Sequence, residues 1–179
     1  MKFMHYLFIV LIAVFFAIFS GCSECVMTAE EQANLELLDY IYDQGVNKQN
    51  PEIWNEVLTR DYVRHCQAMP PGFQEIHGLD TMKMFLTDHF RAFPDWKESI
   101  DLIFAKDDMV AYITTGIGTF MEPMGDLQPT GMKCEIVNII IHRFELGKIA
   151  ETWISWDNVA FLTQIGAYPP APPPSSKAK

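Results

Sequence analysis

The stretch MKCEIVNIIIHRFELGKIAETWISWDNVAFLTQIG, Met132 to Gly166, constrains this chain more than any other. Two runs rich in Ile, Val, Thr and Trp flank Glu145-Leu146-Gly147. They predict two long strands joined by a tight turn, running into a short helix that opens at Asp157. A two-residue turn on Leu146-Gly147 would need positive φ at Leu146, which a branched side chain resists. A three-residue loop with Gly147 as the left-handed bulge residue avoids that strain. In that register Phe144 faces Lys148, Arg143 faces Ile149 and Ile141 faces Glu151. Val137, Ile139, Ile141 and Arg143 then share a face with Ile149, Glu151, Trp153 and Ser155, and Asp157 keeps their parity. The opposite face carries Asn138, Ile140, His142, Ala150, Thr152 and Ile154. That mixture of polar and apolar suits an outer or interface surface.

The rest of the chain reads as walls around this hairpin. Thr28 followed by Glu31 predicts a capping box, and Leu35, Leu38, Ile41 and Tyr42 follow at helical spacing toward Gly45. Asn50-Pro51 opens a second, shorter helix with Trp54 and Leu58. Asp61 to Cys66 alternates as a brief strand, with Val63 and His65 facing one way and Tyr62 and Arg64 the other. QAMPPGFQEIHG, with its Pro and Gly residues, reads as a loop. Met82, Phe85, Leu86, His89, Phe90 and Phe93 mark an amphipathic helix that Phe93-Pro94 ends. Strands follow from Ile100 to Phe104 and from Val110 to Phe120. Helices first and an antiparallel sheet after them predict an α+β fold.

The ends lie outside that domain. Lys2, the apolar run Tyr6 to Phe19, and Phe19-Ser20-Gly21-Cys22 read as an exported leader. The small residues before Cys22 resemble a lipobox, in which the cysteine is lipidated. An ordinary cleaved signal or an uncleaved anchor is the alternative. The expected division is a signal peptide over 1–21, a tether over 22–28, the domain over 29–168 and a Pro-rich disordered tail over 169–179. The expected location is the cell envelope, with the membrane held through a lipid on Cys22. Export allows a disulfide between Cys66 and Cys134; two buried thiols are the blander reading. The net charge of −10, with no basic cluster, excludes nucleic acid as the expected partner. No Cys/His spacing suggests a metal.

Taken together, several pieces resemble the SnoaL-like polyketide cyclases, or ester cyclases, of the nuclear transport factor 2-like superfamily. They are Tyr62-Val63-Arg64-His65, the Gly78 helix start, Phe93-Pro94-Asp95, and Asp107 to Ala111. Pro129-Thr130-Gly131, Arg143-Phe144, Gly147-Lys148-Ile149 and Glu151-x-Trp153 follow. Asp157 and Gln164-Ile165-Gly166 complete the series. The resemblance implies a cone-shaped curved antiparallel sheet packed on N-terminal helices, enclosing a deep pocket. It implies an intramolecular aldol closure without metal or organic cofactor, with Asp157 as acid/base. The chain departs from the family in two places: Phe120 stands where a His often lies, and Gln164-Ile165-Gly166 replaces Gln-Leu-Gly.

A carboxylate beside Trp153 and Trp156 would have its pKa raised by burial, which suits proton transfer in both directions. His65, Arg143 and the Trp153 indole are candidate donors to a developing enolate, with Asn138 joining them on a slipped register. His65 pairs with Asp157 as the expected catalytic set. Trp153, Trp156, Arg143, Glu151, Phe90 and Gln164 are the expected pocket for a small hydrophobic molecule. Each has a plainer reading. Asp157 would cap the last helix, Arg143 and Glu151 would form a diagonal sheet pair, and the tryptophans would line a wall. Two other classes compete with a cyclase- or isomerase-like enzyme: a ligand-binding module, and a homodimer using the face of His142 and Ile140.

Overall fold

The computed structural model describes residues 27–168. The leader, Cys22 with its lipid, and the tail from 169 lie outside the described residues. Helix α1 (Ala29–Tyr40) opens on the expected capping box: Glu31 N–H donates to Thr28 Oγ1 at 3.1 Å, and Thr28 N–H to the Glu31 carboxylate at 2.7 Å. The last turn widens into a π-type segment over Ile41–Val46, which buries Tyr42. A 3₁₀ turn at Pro51–Ile53 leads into α2 (Trp54–Val57). Then come β1 (Leu58–Cys66), β2 (Glu75–His77), α3 (Leu79–Ala92), β3 (Lys97–Lys106) and β4 (Met109–Thr119). The chain ends in β5 (Lys133–Glu145), β6 (Lys148–Trp156) and α4 (Asn158–Gln164).

The fold is α+β, a six-stranded sheet in the order β2-β1-β6-β5-β4-β3 with the helices against one face. Two expectations change. The sheet is mixed, because β1 pairs with β6 in parallel, through Arg64↔Thr152 and Cys66↔Ile154 among others. The QAMPPGFQEIHG segment is not all loop; its end forms β2, an edge strand antiparallel to β1.

The hairpin also departs from expectation. Its turn is the two-residue form, with φ of 50° at Leu146 and 74° at Gly147. Leu146 is 99% exposed, so its branched side chain meets only backbone strain and no neighbour. The register is Glu145↔Lys148, Phe144↔Ile149 and Arg143↔Glu151, with a bulge that leaves Ala150 unopposed. That bulge restores the face predicted for Arg143, Glu151 and Trp153 but sends Ile149 to the other side. The sidedness is reversed, though. Cys134, Ile136, Asn138, Ile140, His142 and Phe144 of β5 are buried beneath the helices, while Val137, Ile139 and Glu135 are exposed. His142 and Ile140 are therefore interior residues, not an outer interface.

Two glycines of β4 shape the interior. A Cβ on Gly116 would lie 2.2 Å from Trp96 Cζ2, and one on Gly118 would lie 2.7 Å from Trp96 Cε3. The indole thus packs flat on bare backbone. Cys66 and Cys134 are free thiols. Cys66 is level with Ile154, which pairs with Ile140, and Cys134 lies six residues back along β5. That is about 20 Å along the strands, beyond the reach of a disulfide.

Candidate active site

The predicted site residues fall into three groups. The first is on the outer face. His65 Nε2 lies 2.8 Å from Glu151 Oε1, and Arg143 Nε donates to Glu151 Oε2 at 3.1 Å. The His65 ring stacks on Trp153 at 5.5 Å, and Glu75 lies 3.4 Å from His65 Nδ1. The bond to His65 and the Arg143 guanidinium together hold the Glu151 carboxyl below its usual range. Arg143 and Glu151 are directly opposite rather than diagonal. This cluster is open to solvent and sits on the side of the sheet away from the helices.

The second group holds the end of the chain in place. Asp157 is exposed and caps α4, its Oδ1 accepting from Ala160 N–H at 2.9 Å. Gln164 clamps α4 to the start of β5: its side chain donates to Glu135 O at 3.0 Å and accepts from Glu135 N–H at 2.7 Å. The third group, Trp156 and Phe90, does face inward.

Beside that third group lie residues that sequence reasoning passed over. Arg64 is 3% exposed, and its guanidinium sits 4.8 Å from the Phe85 ring centroid and 5.7 Å from that of Trp156. Its Nη1 is buried without a hydrogen-bond partner. No Asp or Glu among the described residues pairs with it; Cys66 and Tyr62 are its polar neighbours. Burial lowers its pKa, the usual response of an uncompensated cation.

His89, on the inner side of α3, packs among Trp96 at 4.6 Å, Phe93 at 5.2 Å and Phe90 at 5.8 Å. Its ring nitrogens make no hydrogen bond to another described residue. Enclosure by protein, with the Arg64 charge nearby, lowers its pKa to about 4, so it is neutral at physiological pH. The signals available were the alternation at Tyr62/Arg64 for the one and the apolar stripe of α3 for the other.

A second interior set is fully bonded. Tyr42 OH donates to Tyr112 OH at 3.4 Å, the Tyr112 hydroxyl lies 2.6 Å from His142 Nε2, and His142 Nδ1 lies 2.8 Å from Thr152 Oγ1. The chain is consistent when Tyr112 donates to Nε2 and Nδ1–H donates to Thr152. Burial drives the His142 pKa down to about 3. Alongside, Glu98 accepts from Trp96 Nε1 at 3.1 Å, from Asn138 at 3.1 Å and from the Thr114 hydroxyl. Burial nevertheless raises its carboxyl pKa. Among the described residues no three His, Cys, Asp or Glu side chains converge as a metal site.

Comparison with known proteins fits this architecture. Similar solved structures include a candidate SnoaL-like polyketide cyclase from Jannaschia sp. CCS1. It shares 20% identity over 79% of this chain and 97% of that one, with a TM-score of 0.71. IdmH, a candidate polyketide cyclase from Streptomyces antibioticus, shares 25% identity over 74% and 98% of the two chains, with a TM-score of 0.63. AclR from Streptomyces galilaeus, a candidate hydroxylase, shares 23% identity over 83% and 87%, also with a TM-score of 0.63. No curated protein matches the chain. The family model of the SnoaL-like polyketide cyclases matches residues 36–165, nearly the whole described domain. The chain belongs to the SnoaL-like polyketide cyclase family.

Proposed function

We propose that this chain is a cofactor-independent acid/base enzyme, cyclase- or isomerase-like, acting on a small apolar carbonyl compound held between the sheet and α3. The observation that carries this reading is His89. It is packed among aromatic rings while still partly exposed, is neutral, and has ring nitrogens not engaged by other described residues. One nitrogen of a neutral imidazole accepts while the other donates, so His89 is able to take a proton from carbon beside a carbonyl, the low basicity that burial gives it being offset as the negative enolate forms beside the imidazolium. The Arg64 charge in the same low-dielectric space favours negative charge on the bound molecule.

The resemblance assigns the acid/base role to Asp157. Its exposure and its bond to Ala160 N–H support the capping role instead. The test is exchange of α-protons. A panel of cyclic and aromatic ketones is incubated with protein in D₂O and followed by proton NMR. Loss of α-proton signal in wild type and in Asp157→Asn, but not in His89→Phe, is expected. Exchange abolished by Asp157→Asn and retained by His89→Phe refutes the assignment to His89, and no exchange with any ketone refutes the enzyme reading.

A second copy covering the outer face is also proposed. Leu102, Ile113 and Ile139 lie side by side across the strands, as do Phe104, Ala111, Ile141 and Trp153. Ile139 is 59% and Phe104 62% exposed, so the two rows form a contiguous apolar surface of the kind that marks a contact site. His65, Glu151 and Arg143 border it with both signs of charge, so two identical patches tolerate each other. Light scattering is expected to give a dimer for residues 27–168 and a monomer for Ile139→Lys; a monomeric wild type refutes it. Export with a lipid on Cys22 is supported by the leader sequence alone, and mass spectrometry of the mature N-terminus tests it.

A further inference from the structure

We infer that Arg64 is a carboxylate-binding residue, and that the molecule taken up beneath α3 is an aromatic or alicyclic carboxylic acid rather than its neutral ester. This rests on the reading that the inner face holds a small molecule and names the class of that molecule.

A guanidinium has two kinds of surface. Its faces are served by π-systems, and here Phe85 at 4.8 Å and Trp156 at 5.7 Å serve them. Its edge carries N–H donors that only acceptors satisfy, and Nη1 is buried with none. The Cys66 sulfur beside it is a weak acceptor, and the Tyr62 hydroxyl has Thr152 as its hydrogen-bond partner. Protein interiors seldom leave a buried cation uncompensated, because removing it from water is expensive.

The chain had anions to spare, with 23 Asp and Glu against 13 Lys and Arg, yet none of the described ones is placed at Arg64. An anion arriving from outside supplies the missing partner. A carboxylate matches the two-pronged edge of a guanidinium. The neighbouring surfaces specify the rest of the molecule. Phe85 and Trp156, partly buried beside the guanidinium, offer rings and hydrocarbon, which suits a flat apolar body attached to that carboxylate. His89 borders the same space; burial first, and the Arg64 charge second, lower its pKa.

The experiment compares acids with esters. Binding of 1-naphthoic acid, 2-naphthoic acid and salicylic acid, and of their methyl esters, is measured by calorimetry on wild type, Arg64→Gln and Arg64→Lys. Near-UV circular dichroism establishes that each variant is folded. Wild type is expected to prefer acid over ester by about 100-fold, as a buried charge-assisted pair provides. In Arg64→Gln the acid falls to the level of the ester while ester affinity is unchanged. In Arg64→Lys the preference is intermediate, since charge remains and the fork is lost. A purely structural arginine would change acid and ester together. Equal affinity of acid and ester for wild type overturns the inference while leaving the interior site standing. Binding of neither also overturns it, and the ketone exchange assay then decides the acid/base reading separately.

Discussion

Acidification is expected to unfold this domain earlier than its carboxylates alone would dictate, and His142 is the reason. In the folded chain its pKa is lowered to about 3 by burial, against about 6.5 when unfolded. The unfolded state therefore binds the proton first. The contribution is fully present above pH 6.5 and is lost as pH falls below it, by about 1.4 kcal/mol per pH unit. Between pH 6.5 and pH 5 the loss is about 2 kcal/mol for His142, a large share of an ordinary domain's stability. His89, with a folded pKa of about 4, adds a similar amount. Glu98 works the other way, because its raised pKa lets the folded state gain protons as pH falls.

The structural cause is specific. Nε2 accepts from Tyr112 and Nδ1–H donates to Thr152, so protonating the ring forces the Tyr112 hydroxyl to turn and breaks the chain from Tyr42. Urea unfolding at pH 7, 6, 5.5 and 5, in wild type and His142→Gln, measures the effect. His142→Gln is expected to be about 1–3 kcal/mol less stable at pH 7, having lost well-made buried bonds. Its stability should fall with pH more gently than wild type by about 1.4 kcal/mol per unit. Identical slopes, or a folded-state NMR titration of the His142 ring near 6.5, would refute the reasoning.

Three further outcomes are expected. Leu146→Asn makes the turn Asn-Gly, which accepts positive φ at both positions, and should stabilise by about 0.5–1 kcal/mol in thermal melts. Gly116→Ala drives a methyl to within 2.2 Å of the Trp96 ring and should destabilise by about 1–3 kcal/mol. The penalty should shrink in a Trp96→Leu background, a double-mutant cycle that isolates the clash. Asp157→Ala removes the cap of α4 and should cost about 1 kcal/mol in urea melts, while leaving naphthoate binding unchanged.

Much of the fold was legible because local chemistry and tertiary structure agree. The Thr28–Glu31 capping box, the stripe from Met82 to Phe93 and the β5–β6 hairpin are each written in short-range pattern. The sidedness of the hairpin was not legible, because β5 is apolar on both faces. Val137, Ile139 and Ile141 read as core as readily as Ile136 and Ile140 do, while Asn138 and His142 look like surface residues. Their partners, Glu98 and Thr114 for one and Tyr112 and Thr152 for the other, come from other strands, so no local pattern announces their burial. The turn was misjudged by weighing the strain at Leu146 alone; the long flanking ladders outweigh a strain of this size. The same choice decided which residues were gathered: following the face of Arg143 brought together His65 and Glu151, which the structure places on the outer side, and left Arg64 and His89 aside.

The place of β6 has a consequence for how the chain acquires its shape. This strand, last in sequence, is inserted between β1 and β5, so the N-terminal third finds its neighbour only when the C-terminal end arrives. Cys66 and Ile154 stand side by side in the sheet although they lie 154 − 66 = 88 positions apart in the chain. Closing so long a loop comes late, and until it happens β1 presents an unpaired edge to solvent and to other copies. During synthesis β3, β4 and β5, neighbours both in sequence and in the sheet, are able to pair before β6 has emerged. The contact of Arg64 from one side of that seam with Trp156 from the other requires β6 to be in place. A chain shortened before β6 would therefore keep the β3–β5 stack but leave Arg64 without the Trp156 ring against it.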